Sequence, residues 1–198
     1  RVGKRGGCRS TPQAFINRLM LRYGRQGKRL VRLKGGDPCI FGRAGEEAQW
    51  LRERGVEAGI VNGITAGLAG ATQCDIPLTL RGVSRGVTLV TAHTQDDSEL
   101  NWAALAAGGT TLVVYMGVAR LQQIQQGLLA GGMPANMPVA MIENASSPLQ
   151  RQHACQLSQL CTAATAFKLK SPAVLVIGEV VNAAALAHSH SEASQLAG

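Results

Sequence analysis

A glycine-rich turn at residues 31–47, VRLKGGDPCIFGRAGEE, has the residue types and spacing of a ligand-binding loop. Gly35 and Gly36 follow a short apolar segment and allow main chain to approach a ligand without interference from Cβ. Asp37 offers a hydrogen-bond acceptor, and Pro38 fixes the exit of the turn. In open α/β sheets, ligands bind at such turns, where strands end. On spacing alone, an ordinary turn between a strand and a helix explains the pattern equally well.

Six further motifs accompany this turn in a fixed order along the chain. They are VGKR at 2–5, NGITAG at 62–67, DIPLTLR at 75–81, VTAH at 90–93, YMG at 115–117 and IEN at 142–144. With GGDPCIFGR at 35–43, their order and spacing resemble the tetrapyrrole methylase family, and within it the uroporphyrinogen-III C-methyltransferases, which also form the C-terminal module of siroheme synthases. The resemblance extends from residue 1 to about residue 181.

The resemblance implies an enzyme that uses S-adenosyl-L-methionine to methylate two pyrrole carbons of uroporphyrinogen III. The product would be precorrin-2, for siroheme or cobalamin biosynthesis. The implied fold is an α/β protein of two lobes with the cofactor in a cleft between them. A homodimer is implied as well.

Matching the motifs position by position gives candidate site residues. The resemblance implies cofactor contacts from four turns and a proton donor in the VGKR motif. The cofactor contacts are Gly35, Gly36, Asp37, Ile40, Thr65, Ala66, Met116 and Ala145, and the proton donor is Lys4. Without the resemblance, Thr65 could equally cap a helix, Met116 could fill the core, and Lys4 could be a solvated lysine.

Four positions depart from the family pattern. Asn62 replaces a proline, Leu80 a histidine, Ala92 the glycine of a Gly-His pair, and Ala145 a glycine. Ala145 is a mild change, because a backbone contact survives wherever φ is negative. Leu80 removes a polar group from the region where the resemblance implies substrate.

Family members begin with a strand, a GxGPGD loop and a segment that carries a catalytic aspartate. This sequence starts at VGKR, after those features. We therefore expect the first lobe to be incomplete, the sequence to be a piece of a longer protein, and these 198 residues alone to methylate negligibly.

Hydrophobic periodicity predicts the elements that position these turns. Strands are predicted at 28–34, 56–61, 87–91, 111–116, 138–143 and 173–177, with helices between most of them. This alternation favours an α/β fold. The predicted organisation is a partial N-terminal lobe at 1–85, a C-terminal lobe at 86–181 and a low-complexity tail at 182–198.

Basic residues concentrate near the start of the chain. Residues 1–54 hold 14 Lys and Arg against 4 Asp and Glu, whereas residues 55–198 have a net charge of −2. Such a field suits an anionic partner, although a solubilising surface is an equal explanation. Arg43, Arg81 and Arg85 are candidates to bind the carboxylates of a tetrapyrrole by forked hydrogen bonds.

Cysteine spacing and hydropathy indicate the cellular compartment. The five cysteines form no CxxC pair and have no metal-site spacing, so we predict reduced residues in a cytoplasmic protein without a bound metal. No apolar run reaches the length of a membrane span, and no signal peptide is recognisable.

Two alternatives stay open. Another family member could act on a later corrin intermediate or on ribosomal RNA, and the basic first lobe would suit RNA. However, the aromatic content of 4% leaves few base-stacking platforms, so no nucleic-acid partner is predicted. The other alternative is a non-catalytic remnant that keeps part of the cofactor cleft.

Overall fold

The computed structural model describes residues 11–93 and 99–183. The chain divides into two compact units, Arg1–Thr65 and Ala66–Gly198. The division lies upstream of the lobe boundary predicted at 85/86, because the segment from Ala66 packs with the second unit. The three-part organisation predicted from sequence stays a prediction.

The first unit contains helices α1 (Gln13–Arg25) and α2 (Ala44–Arg52), which pack against each other. Pro12 is the N-cap of α1, and its carbonyl accepts from Phe15 N at 3.0 Å. The first helical residue is therefore Gln13. Ile16, 1% exposed, is the buried centre of the apolar face of α1.

The predicted strands at 28–34 and 56–61 are wrong. Neither segment forms a helix or a strand, and all the strands in the described residues belong to the second unit. Their apolar side chains are largely exposed, with Val31 at 78%, Leu33 at 80% and Val61 at 85%. An apolar run becomes a strand only where a neighbouring backbone pairs with it, and these segments have no ladder partner among the described residues.

The second unit is built on a five-stranded mixed sheet of order β1-β2-β5-β3-β4. The strands are β1 (Val87–Thr91), β2 (Thr111–Tyr115), β3 (Pro138–Glu143), β4 (Arg151–Gln156) and β5 (Ala173–Ile177). β1 and β2 are parallel, whereas β5 is antiparallel to both β2 and β3, and β4 is antiparallel to β3. Consequently β1, β2 and β3 all point the same way. The α/β fold class is confirmed, with a mixed sheet.

Helices cover both faces of this sheet. They are α3 (Ala66–Gln73), α4 (Trp102–Ala107), α5 (Leu121–Ala130) and α6 (Leu160–Phe167), with single 3-10 turns at Val118–Arg120 and Leu157–Gln159. Leu112 and Val114 belong to the same core cluster as α5 and α6, whereas Val113 faces Gly67 of α3. Side chains alternate across a strand, so a fully buried strand such as β2 needs a helix on each side.

Candidate functional site

The GGDP segment forms a tight turn in the first unit. Gly36 has φ +76°, a conformation that a glycine adopts without strain. Ile40 N donates to the Asp37 carbonyl at 3.3 Å, and Phe41 and Arg43 also have positive φ, at 53° and 59°. Non-glycine residues in this conformation concentrate at functional sites, where the surrounding structure offsets their strain.

Asp37 joins this turn to the NGIT turn. Its Oδ1 accepts from Cys39 N at 2.7 Å, and its Oδ2 accepts from Gly63 N at 3.4 Å. A Cβ on Gly63 would lie 2.5 Å from the Gly36 carbonyl oxygen, so only glycine allows this approach. The sequence interpretation treated Asp37 as an acceptor for a ligand. The structure shows that both oxygens already hold backbone amides, although each keeps lone-pair capacity for a further donor.

The YMG and IEN motifs lie at the same edge of the second unit's sheet, the edge where β1, β2 and β3 end. Met116 follows β2 and Asn144 follows β3, and these strands point the same way, on either side of β5. Both residues have positive φ, 54° for Met116 and 51° for Asn144. This edge holds the carboxyl ends of β1, β2 and β3, the position at which α/β sheets bind ligands.

Helix α3 brings Ala66 to the same edge. Gly67 N donates to the Tyr115 hydroxyl at 2.9 Å, and a Cβ on Gly70 would lie 2.9 Å from the Ala145 Cβ. Gly67, next to Ala66, is therefore bonded to the residue before Met116, and Gly70 lies close to Ala145. The small residues of α3 allow this close packing.

Met116 is not a core residue. It is 48% exposed, although every residue of the preceding strand is buried. A large apolar side chain that stands in solvent at a strand end is available to pack against a ligand. Thr65, in contrast, is 4% exposed and lies directly before α3.

Tyr115 is a site-forming residue that sequence reasoning missed. Its hydroxyl fastens the first turn of α3 to the end of β2, and the tyrosine is 8% exposed. A tyrosine next to the candidate contact Met116 was visible in the YMG motif. Its partner Gly67 could not be inferred, because the two residues are 48 positions apart.

Arg43 is engaged by a neighbouring carboxylate. Its guanidinium pairs with Glu46 at 2.6 Å, and both side chains are partly exposed. The hydrogen bond that Arg43 donates to Glu46 raises the pKa of Arg43 above its ordinary value, although burial alone would lower it. An anionic substrate would have to compete with Glu46, and exposed pairs of this kind are weak, worth about 0–1 kcal/mol.

Arg81 and Arg85 lie near the opposite edge of the sheet. Leu80 and Ser84 bridge around the turn that carries Arg81, and Ser84 Oγ accepts from Thr111 N at 3.1 Å, at the amino end of β2. Arg85 lines an open groove of about 460 Å³ beside Gly86 and Thr110, which precede β1 and β2. The structure therefore does not bring these arginines to the edge that holds Met116.

A charged network fixes the chain around the IEN motif. Glu143, whose side chain is 6% exposed, accepts from Arg151 Nη2 at 2.7 Å and from Lys170 N at 2.8 Å. Burial alone would raise the pKa of Glu143. The hydrogen bonds and charges of Arg151 and Lys170 outweigh burial and hold that pKa below its ordinary value.

Replacing Arg151 with methionine should lower the free energy of unfolding by about 1–3 kcal/mol at neutral pH, because the buried carboxylate loses a charged donor. A lowered native pKa contributes stability above the ordinary carboxyl value of 4.5, and that contribution is lost as the pH falls through the lowered pKa. The difference from wild type should therefore shrink in acid.

Urea unfolding at neutral and acid pH measures this difference. Gln152→Met, at an exposed neighbouring position of β4, is the matched control and should change stability little at either pH. An Arg151→Met deficit that is equal at both pH values would contradict the assigned role of Glu143.

Three further sequence predictions concern Lys4, a bound metal and membrane-spanning helices. Lys4 lies outside the described residues. Within 11–93 and 99–183, no group of three or more His, Cys, Asp or Glu side chains could hold a metal ion. No helix in the same part of the chain has the length and apolarity to cross a membrane.

Comparison with known proteins gives the same assignment as the motifs. The profile of the Tetrapyrrole (Corrin/Porphyrin) Methylases matches residues 1–161. A Uroporphyrinogen-III C-methyltransferase of Pseudomonas aeruginosa is 72% identical over 180 residues, which cover 91% of this chain and 74% of that protein. A Siroheme synthase of Edwardsiella ictaluri is 46% identical over 180 residues, 91% of this chain and 39% of that protein.

A solved structure extends the comparison to the fold. The Uroporphyrin-III C-methyl transferase of Thermus thermophilus, complexed with S-adenyl homocysteine, superposes with a TM-score of 0.76 at 36% identity. The match covers 86% of this chain and 75% of that chain. These matches, together with the mixed sheet, define an α/β methyltransferase. Within that class, the chain belongs to the tetrapyrrole (corrin/porphyrin) methylases.

Proposed function

We propose that the protein is a uroporphyrinogen-III C-methyltransferase that uses S-adenosyl-L-methionine and forms precorrin-2 for siroheme or cobalamin biosynthesis. The observation that carries this proposal is the 72% identity to the Pseudomonas aeruginosa enzyme across 91% of the chain. Identity at this level over most of the chain supports a shared activity and not merely a shared fold.

The residues around the motif turns fit such a cofactor. In the first unit, a Cβ at Gly35 would have no atom within 4 Å, so space is open beside this main chain. In the second unit, Met116 offers an exposed apolar surface at a strand end. We propose that the cofactor contacts are Gly35, Gly36, Asp37, Ile40, Thr65, Ala66, Met116 and Ala145.

When bound, S-adenosyl-L-methionine supplies a methyl group on a sulfonium sulfur. In-line transfer to carbon depends mainly on alignment, which rigid turns provide. Asp37 contributes by holding the GGDP and NGIT turns together, and Tyr115 by holding α3 against β2. Lys4 is proposed as the proton donor, and Arg43 and Arg81 as partners of substrate carboxylates, with Arg81 away from the edge that holds Met116.

The net charge of +10 over residues 1–54 supports an anionic substrate, but it would also suit RNA. Transfer of a labelled methyl group decides between them. With the protein as its gene encodes it, under anaerobic conditions, we expect label in uroporphyrinogen III and none in a ribosomal RNA fragment. Transfer to RNA alone would overturn the proposed substrate, and transfer to neither would favour a non-catalytic remnant.

We also propose a cytoplasmic homodimer. Support for the compartment comes from Cys39, Cys74, Cys155 and Cys161, which are free. Burial raises the pKa of the Cys74, Cys155 and Cys161 thiols, and the charge of Asp75 adds to the effect at Cys74. Such thiols are poorly reactive and suit packing roles. The homodimer rests on the family resemblance.

A further inference from the structure

A buried carboxylate lies behind the GGDP turn. Glu47 of α2 has 5% of its side chain exposed, and its Oε2 is 2.9 Å from Lys34 Nζ. Its Oε1 accepts from Gln13 Nε2 of α1 at 2.7 Å, and Arg32 Nε lies 3.8 Å away. A single carboxylate therefore joins both helices of the first unit to the segment that enters the turn.

Lys34 connects this carboxylate to both ends of the turn. It immediately precedes Gly35, and its Nζ also donates to the carbonyl oxygen of Gly42. The ammonium group thus links the residue before the turn, the residue that ends it, and Glu47. Only 14% of the Lys34 side chain is exposed, so water competes little for these contacts.

The geometry at the end of the turn leaves little tolerance. A Cβ on Gly42 would lie 2.3 Å from the Pro38 carbonyl oxygen, and the same oxygen accepts from Ala44 N at 3.2 Å. Residues 38–44 therefore pack backbone on backbone. A shift of the Gly42 carbonyl would move the Pro38 end of the turn with it.

Stability alone does not explain a buried ion pair at this place. Removing two charges from water costs about as much as their attraction returns, and well-packed apolar residues often replace such pairs without loss. What apolar residues cannot reproduce is the directed bond from Lys34 Nζ to the Gly42 carbonyl. The pair is thus better suited to fixing a conformation than to holding the unit together.

We propose that Lys34 and Glu47 are positioning residues that hold the 35–42 turn in its cofactor-binding conformation. The proposal rests on the function proposed above. Neither residue is assigned contact with the cofactor or with the substrate. The pair acts through the backbone at Gly35, Gly36 and Asp37, so its loss should weaken cofactor binding and leave macrocycle recognition unchanged.

The test uses the double variant Lys34→Met/Glu47→Leu, which removes both charges of the pair, while Gln13 and Arg32 also lose their contacts with Glu47. We expect the dissociation constant for S-adenosylhomocysteine, measured by calorimetry, to rise about 10-fold or more, in line with lost preorganisation. KM for S-adenosylmethionine should rise in parallel. KM for uroporphyrinogen III should stay at the wild-type value. A general loss of structure would instead raise KM for both substrates.

Two further variants keep the test decisive. Glu47→Gln keeps an acceptor for Lys34 but loses the charge, so it should weaken S-adenosylhomocysteine binding by a smaller factor. This variant provides a test if the double variant fails to fold. Glu53→Gln, in the exposed pair with Arg54 just after α2, is the control and should bind as wild type does. Circular dichroism establishes which variants are folded.

Wild-type affinity in a folded double variant, or in Glu47→Gln where the double variant does not fold, would overturn the inference. A wild-type protein that binds no S-adenosylhomocysteine would instead overturn the proposed function, and this inference with it. The two failures are distinguished by the wild-type titration alone.

Discussion

Replacing Gly35 with valine should weaken S-adenosylhomocysteine binding about 10- to 100-fold, the penalty expected when a side chain occupies volume that a ligand needs. The reason is local. Gly35 opens the GGDP turn, its φ is not in the left-handed region, and an added Cβ meets no protein atom within 4 Å. The valine would therefore be tolerated by the fold and would project into the space proposed for the cofactor.

Gly59→Val is the matched control, because a Cβ there also meets nothing within 4 Å, in the same unit. Calorimetric titration should give wild-type affinity for Gly59→Val, and thermal unfolding should show similar stability for both variants. Equal affinity in both variants would remove Gly35 from the proposed cofactor site.

Four of the five strands of the second unit could be predicted because their signals are local, whereas β4 has largely exposed side chains and was not predicted. Residues 87–91, 138–143 and 173–177 are apolar runs whose predicted bounds are those observed. Each of these strands is covered by neighbours within the same unit. The residues that define an element are then also the residues that stabilise it.

The apolar runs at 28–34 and 56–61 carry the same kind of signal, yet they form no strand. Strand formation requires hydrogen bonds to another backbone, and periodicity does not reveal whether that backbone is available. The valines and leucines of these two segments are exposed to solvent. An apolar pattern identifies side chains that are suited to burial, but it does not identify the element that would bury them.

For the site, sequence spacing located the turns but not their internal bonds. The GGDP, YMG and IEN segments lie at turns as predicted, and three of their residues, Phe41, Met116 and Asn144, have positive φ. The contacts between Asp37 and Gly63, and between Gly67 and Tyr115, span 26 and 48 positions. Contacts between residues so far apart depend on how the chain folds back on itself and on how α3 packs, and no local motif encodes either.

Electrostatic roles were the least predictable feature. Arg43 was a candidate to bind substrate carboxylates and is paired with Glu46, whereas no role was predicted for the buried Glu47. In the sequence GRAGEE both glutamates look alike. Successive residues on a helix point about 100° apart, so Glu47 faces Lys34 while Glu46 stays exposed, and burial separates their roles.

In the protein as its gene encodes it, replacing Lys4 with alanine should lower the turnover number for uroporphyrinogen III about 10²- to 10⁴-fold, the usual contribution of a positioned proton donor. The expectation rests on the match of Lys4 to the VGKR motif. The effect should fall on turnover and leave the dissociation constant for S-adenosylhomocysteine near that of wild type, because the proposed cofactor contacts lie in other turns. Labelled methyl transfer and calorimetry measure the two quantities separately.

Lys28→Ala is the matched control for charge. Lys28 lies in the same basic region and is exposed, and its Nζ lies over the face of Tyr23, 5.2 Å from the ring centroid. If a general loss of positive field slowed the reaction, both substitutions would lower turnover alike and more salt would narrow the difference from wild type. If Lys4 donates a proton, only its loss has the large effect, and screening does not reproduce it. Wild-type turnover in Lys4→Ala would show that the proton comes from another group.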